Sequence, residues 1–299
     1  MKTRILSAAV GIVLLIVVLS FFQTPILNVA IMLISLIAMH EFLTATKISH
    51  NKLLSLVAFV VAAVFPFVPM QKEMNLLPLF LLPYIGILFL ILLKTHKDTR
   101  VEDIALTFMM SIGMPLSFSA AIYLRDNNGQ AMGMFYLLMA LACAWFSDSG
   151  AYFVGKAFGK HKLCPLVSPH KTVEGLAGGL VSCILLNLLA AFCYQKVCGM
   201  MGIALEINFL RLALISPLAS LISVLGDLSF SLIKRQFKIK DFGKIMPGHG
   251  GVLDRFDSVL FTLPFIYATT LQYSGIESWN PLFIKRGKRK KDDNSSAFF

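Results

Sequence analysis

Charge is scarce in this chain. Only 14% of its 299 residues are Asp, Glu, Lys or Arg, against roughly 25% in an ordinary soluble domain. A soluble globule of this length covers one or two apolar cores with charge, and here too little is available to cover them. Cysteine is also sparse and unpatterned. Cys143, Cys164, Cys183, Cys193 and Cys198 form no C-x-x-C pair and no metal-type spacing, which excludes a disulfide scaffold or a thiolate metal centre. Collagen-like and disordered classes need a glycine period or low hydrophobicity, and neither is present. What is abundant is apolar: 57% of the residues, with a mean hydropathy of +0.76. The composition is that of a polytopic membrane protein.

Apolar runs fall at about 5–22, 25–39, 53–70, 75–93, 104–124, 131–147, 175–194, 209–230 and 259–274. A backbone in lipid must satisfy its own polar groups, so runs of this length predict helices. The alternating ten-residue segments of a membrane barrel are absent. The expectation is an all-α protein with about nine transmembrane helices, the first a retained helix rather than a cleaved leader. Three regions are expected: N-terminal helices over 1–130, a catalytic transmembrane region over 131–280, and a basic tail over 281–299. Two polar segments within the second region, 148–173 and 231–258, read as loops. Two spans separate them, so they share one side of the membrane and can build one site.

The net charge is +11. In a soluble chain that excess points to nucleic acid; here positive-inside topology accounts for it, and no nucleic-acid partner is expected. With a cytoplasmic N-terminus most of the 27 Lys and Arg residues lie inside, the two polar loops among them. An anionic substrate at the membrane surface is the sharper reading of the same excess.

Ionisable residues beside spans mark function. Asp227, Ser231 and Lys234 follow i, i+4, i+7 on one helical face, with Arg235 next to it. A carboxylate, a hydroxyl and two cations at a membrane edge suit a metal–phosphate complex. Further on stand Lys240-Asp241-Phe242-Gly243-Lys244, then Pro247-Gly248-His249-Gly250-Gly251, then Asp254-Arg255-Phe256-Asp257-Ser258. The glycines allow a nest of backbone N–H groups for phosphate, and a helix starting near Val252 offers its N-terminus to the same anion. Asp254 and Asp257 then share a face, an oxygen-rich site for a hard cation.

Other motifs are incomplete. Asp241-Phe242-Gly243 spells a kinase triad without its catalytic loop. His40-Glu41 begins H-E-x-x-H, but Thr44 replaces the second His, and Glu41 reads as an interfacial residue at a span end. Gly175, Gly178 and Gly179 read as a close helix-packing face. An anion transporter would use similar residues, but related halves with matching broken helices are not seen.

The stretch from Ser231 through Lys234-Arg235, Lys240-Asp241, Gly243, Pro247, His249-Gly250-Gly251 and Asp254-Arg255 to Asp257 resembles the signature of the phosphatidate cytidylyltransferases. A second block agrees: Asp148-Ser149-Gly150-Ala151-Tyr152 and Ser168-Pro169-His170-Lys171-Thr172. The resemblance is specific over about 131–274. It implies transfer of a cytidylyl group from CTP to phosphatidate, giving CDP-diacylglycerol and pyrophosphate, by a protein of the bacterial inner membrane whose site faces the cytoplasm. It further implies Mg²⁺ held by Asp227 and Asp254 and a second cation such as K⁺, and the residue chemistry puts Asp257 and Asp148 next, as ligands or as groups that orient metal-bound water. Asp227, Asp254, Asp257, Lys234 and Arg235 are the expected catalytic set. Ser168, Lys171, Ser231, Lys244, His249, Gly250, Gly251 and Arg255 are expected to bind CTP and phosphatidate. Whether the chain pairs as a homodimer is left open.

Overall fold

The computed structural model describes residues 2–68, 77–248 and 250–271. His249 and the basic tail lie outside the described residues. Along the chain run α1 (Lys2–Ser20), α2 (Ile26–Ala45), α3 (Lys52–Val64), α4 (Leu77–Lys94), α5 (Val101–Phe158), β1 (Lys162–Cys164), β2 (Ser168–Thr172), α6 (Val173–Met200), α7 (Phe209–Gln236), α8 (Leu253–Phe256) and α9 (Val259–Thr270). The chain is nearly all helix. Among the described residues four helices, α2, α5, α6 and α7, are long and apolar enough to cross a membrane, and shorter apolar helices accompany them. Their outward faces carry Leu185, Leu210, Leu214 and Leu90, all largely exposed, which suits lipid contact and not water.

The helices start where polar side chains can serve their free N–H groups. The side chains of Asn51, Thr172 and Asn208 accept from the backbone N–H of Leu54, Gly175 and Arg211 at the heads of α3, α6 and α7. The core lies where α5 meets α6, α7 and α9, around buried Phe118, Tyr136, Met139, Leu212 and Ile266.

The runs expected at 104–124 and 131–147 join in one element. At Gly129 the backbone turns out of the helix (φ 73, ψ −179) and α5 folds back on itself. A Cβ on Gly133 would lie 2.6 Å from the carbonyl oxygen of Leu124, whereas nine residues of straight helix separate their ends by about 13 Å. Arg125 fastens the bend by donating to the Thr24 carbonyl and the Asn28 side chain, at 3.0 and 2.9 Å.

Two expectations are corrected at the polar segments. Residues 148–158, read as loop, continue α5, so Asp148 projects from a helix. The remainder is not purely irregular either: β1 and β2 form a small antiparallel hairpin, pairing Lys162 with Thr172 and Cys164 with Ser168. A three-residue strand and its partner carry no apolar period, which hides them in the sequence. Glu174 ties the hairpin to α6 by accepting from the backbone N–H of Lys160 and His161 and from the His161 ring. Behind it the glycines of α6 lie against α5: a Cβ at Gly178 would meet Val154 at 2.3 Å, and one at Gly179 the Ser147 carbonyl at 2.8 Å.

Candidate active site

Four pieces of chain converge on one polar centre. The second limb of α5 supplies Asp148, α7 supplies Asp227, Ser231 and Lys234, β2 supplies Lys171, and the segment around α8 supplies Asp254, Arg255, Asp257 and Ser258. All but the two serines line a cavity of about 360 Å³ together with His170 and Asp241, and the serine hydroxyls bond to carboxylates of that lining. The two polar segments thus meet, as the single-side argument requires.

On α7 the expected face forms only in part. The Ser231 hydroxyl donates to Asp227 at 3.3 Å, and the Lys171 ammonium pairs with the same carboxylate. Lys234 turns away from them. Its ammonium donates to Asp254 at 2.9 Å, lies 3.7 Å from Asp257, and sits 5.5 Å from the Phe242 ring centroid. Arg235 is exposed and donates through Nε to the Val167 carbonyl at 3.2 Å, tying the hairpin to α7. Ser168 starts β2 beside this link.

Asp254 is the most fully engaged of the carboxylates. Beyond Lys234 it accepts from the backbone N–H of Phe242 (2.8 Å) and Gly251 (3.0 Å), and its side chain is 2% exposed. Asp148 and Asp257 are joined through Ser258, whose hydroxyl lies 3.2 Å from one and 3.4 Å from the other. Burial and the neighbouring Asp227 carboxylate push Asp257 up to about 7, with Lys234 acting in the opposite direction. Crowded, half-compensated carboxylates of this kind are relieved by a cation.

The donor set suits Mg²⁺. Asp148, Asp227 and Asp257 with the hydroxyls of Ser231 and Ser258 are all hard oxygen donors, whereas Asp254, expected beside Asp227 as a first ligand, has both oxygens taken by Lys234 and by the N–H groups of Phe242 and Gly251. Among the described residues no three acidic, His or Cys side chains close into a ready-made cage. Mg²⁺ does not require one, because it keeps several waters and is commonly held by one or two carboxylates plus substrate phosphates.

Two further cavities open onto this centre. One, of about 600 Å³, is lined by Lys240, Asp241, Gly243, Lys244, Met246, Gly248, Gly250 and Arg255, and Arg255 and Asp241 also line the first. Gly248 and Gly250 take positive φ, 78° and 89°, as the glycine-nest reading requires. The other is an apolar groove of about 490 Å³ in which Gly11, Ile12 and Leu15 of α1 face Leu141 and Trp145 of α5, with Asp148 and Asp257 at its polar end.

The helix-start reading needs revision. The N–H groups of Gly251, Val252 and Leu253 are not offered to an external anion. Asp254 takes the first, and Glu41 of α2 takes the other two, at 3.0 and 2.8 Å. Glu41 is accordingly no interfacial residue: it is 3% exposed. Sequence reasoning missed it because its partners are backbone groups more than two hundred residues away. A carboxylate in an otherwise apolar helix was the only signal available.

A cytidylyltransferase-family profile matches residues 2–272, nearly the whole chain. The chain belongs to the cytidylyltransferase family. Within it, the chain is similar to the phosphatidate cytidylyltransferase of Bacillus subtilis (strain 168), 34% identical over 272 residues, covering 89% of this chain and 96% of that protein. It is also similar to the proteins of the same name from Staphylococcus haemolyticus (strain JCSC1435), 30% identical over 279 residues, and Staphylococcus aureus (strain COL), 32% identical over 276 residues. Each of those alignments covers 91% of this chain and 100% of the relative.

Proposed function

We propose that this chain is a phosphatidate cytidylyltransferase, converting CTP and phosphatidate to CDP-diacylglycerol and pyrophosphate for phospholipid synthesis. The observation that carries the reading is the junction of three cavities on one group of carboxylates. A basic cavity suits a triphosphate and an apolar groove suits acyl chains, and both share lining residues with the central cavity that Asp148, Asp227 and Asp257 line.

A phosphatidate oxygen attacks the α-phosphorus of CTP in line. One O–P bond forms, the bond to the bridging oxygen breaks, and pyrophosphate leaves with the electron pair. The nucleophile is already an anion, so the site needs positioning and charge neutralisation more than a general base. Asp227, with Asp148 and Asp257, would hold Mg²⁺, which neutralises charge developing on the phosphates. Lys171 and Arg255 reach the transferring phosphate, while Lys244 and the backbone at Gly248 and Gly250 hold the distal phosphates. Lys234 holds Asp254 and Asp257 in register. Ser231 orients Asp227, and Arg235 and Ser168 position the hairpin that carries Lys171.

The helices, including the shorter ones, are read as about nine crossings of the bacterial inner membrane. The site faces the cytoplasm, because CTP does not cross a bilayer. Purified protein given labelled CTP, phosphatidate and Mg²⁺ is expected to place the label in a lipid-soluble product. Label that stays water-soluble under those conditions contradicts the assignment.

A further inference from the structure

We infer that Glu41 is a positioning residue for the transferase site, holding the segment 241–253 so that Asp254, Arg255 and Asp257 stand in register with Asp227. The inference rests on the function proposed above for what the segment does, and on geometry alone for what Glu41 does to it. Glu41 belongs to α2, in the half of the chain that contributes little else to the site. Its two carboxylate oxygens accept separately from Val252 and Leu253. It has no ion-pair partner among the described residues. A buried anion without a counter-cation is retained where its hydrogen bonds do a task that a neutral side chain cannot. Here the task is to bind two consecutive N–H groups at once, which a glutamine amide, with a single acceptor oxygen, does poorly.

Two glycines within the segment point to the same residue. A Cβ on Gly243 would lie 2.2 Å from Glu41 Oε1, and one on Gly251 would lie 2.5 Å from Oε2. Neither glycine has positive φ, so backbone conformation does not explain them. The space they leave is filled by Glu41. Because Asp254 takes the N–H of Gly251 beside it, the two carboxylates together clamp three successive amides. Phosphate in this site must therefore be held by side chains and by the Gly248–Gly250 turn, not by the head of α8.

The test uses the full chain in lipid nanodiscs, with the variants Glu41→Gln, Glu41→Asp, Gly251→Ala and the double variant Glu41→Ala/Gly251→Ala. Loss of a group that orients ligands costs roughly 10- to 100-fold. Glu41→Gln is expected to lower kcat by that factor and to raise the Mg²⁺ concentration needed for half-maximal rate, with the KM for phosphatidate unchanged. Gly251→Ala is expected to cost about tenfold in the wild-type background and under about twofold beside Glu41→Ala, because the obstruction is gone. Equal losses in both backgrounds, or wild-type kcat and Mg²⁺ dependence in Glu41→Gln, would overturn the inference. Amide exchange at Val252 and Leu253 gives a readout that needs no turnover. Slow exchange in wild type that quickens in Glu41→Asp supports the clamp, including where Glu41→Gln does not fold, and fast exchange in wild type contradicts it. Wild type that exchanges slowly but transfers no cytidylyl group would refute the proposed function and leave the clamp standing.

Discussion

Replacing Lys234 by Met keeps most of the side chain's volume and removes only its charge. The side chain is 11% exposed, and its ammonium lies 2.9 Å from Asp254 and 3.7 Å from Asp257. Without it two buried carboxylates lose their counter-ion and the Phe242 ring loses its cation. Breaking a buried pair by deleting one partner costs about 3–5 kcal/mol, because the remaining charge is left uncompensated. That is a large share of the 5–15 kcal/mol that stabilises a typical fold. The variant has one escape, which is to protonate a carboxyl. Asp257 already sits up at about 7 with Lys234 holding it down, so removing the lysine raises it further and leaves it neutral at physiological pH. A neutral Asp257 holds no cation. Lys234→Met is therefore expected to lose both stability and turnover, with a stability defect that shrinks as pH falls and protonation removes the unpaired charge. Thermal unfolding in detergent from about pH 5 to about pH 8 reads the first, and pyrophosphate release reads the second. A variant that unfolds with wild type at about pH 8 and turns over normally would refute the reasoning.

Asp227→Asn is expected to insert and fold but to lose on the order of 100-fold or more in turnover, since charge stabilisation by a bound metal is worth several kcal/mol; wild-type rates at modest Mg²⁺ would remove Asp227 from the ligand set. Asp257 has its folded pKa raised, so between the ordinary carboxylate range and about 7 the folded state binds the extra proton. Its contribution to metal-free stability therefore falls as pH rises through that window, and stabilisation by added Mg²⁺ should grow over the same range. A Mg²⁺-induced shift in unfolding temperature that is flat in pH would contradict this. Gly250→Val places a branched side chain at φ 89, with its Cβ 3.1 Å from Asp254, and should raise the KM for CTP with some loss of kcat. Equal KM values would move the triphosphate elsewhere.

The apolar runs made the helices legible, because in lipid a long apolar segment has no alternative to the helix. The meeting of 148–173 with 231–258 was legible for the same reason, since two intervening spans return the chain to one side. Local spacing was less informative. The i, i+4, i+7 row on α7 correctly aligns Asp227 with Ser231, yet Lys234 is long enough to swing to Asp254 and Asp257, and no helical wheel shows that choice. The bend in α5 turns at Gly129, amid polar residues that read as an ordinary connection. The roles of Gly243 and Gly251 were hidden because a glycine shows that space is needed and not what fills it. Glu41 fills that space from another helix, through backbone bonds that leave no trace in side-chain pattern.

The central claim is that this site joins CTP to phosphatidate. Pyrophosphate release by the purified protein with CTP and Mg²⁺, measured with phosphatidate present and absent, tests it most directly. The account predicts release only when phosphatidate is present, in a one-to-one ratio with CDP-diacylglycerol formed. Release without phosphatidate would mean hydrolysis of CTP, and no release with it would contradict the account.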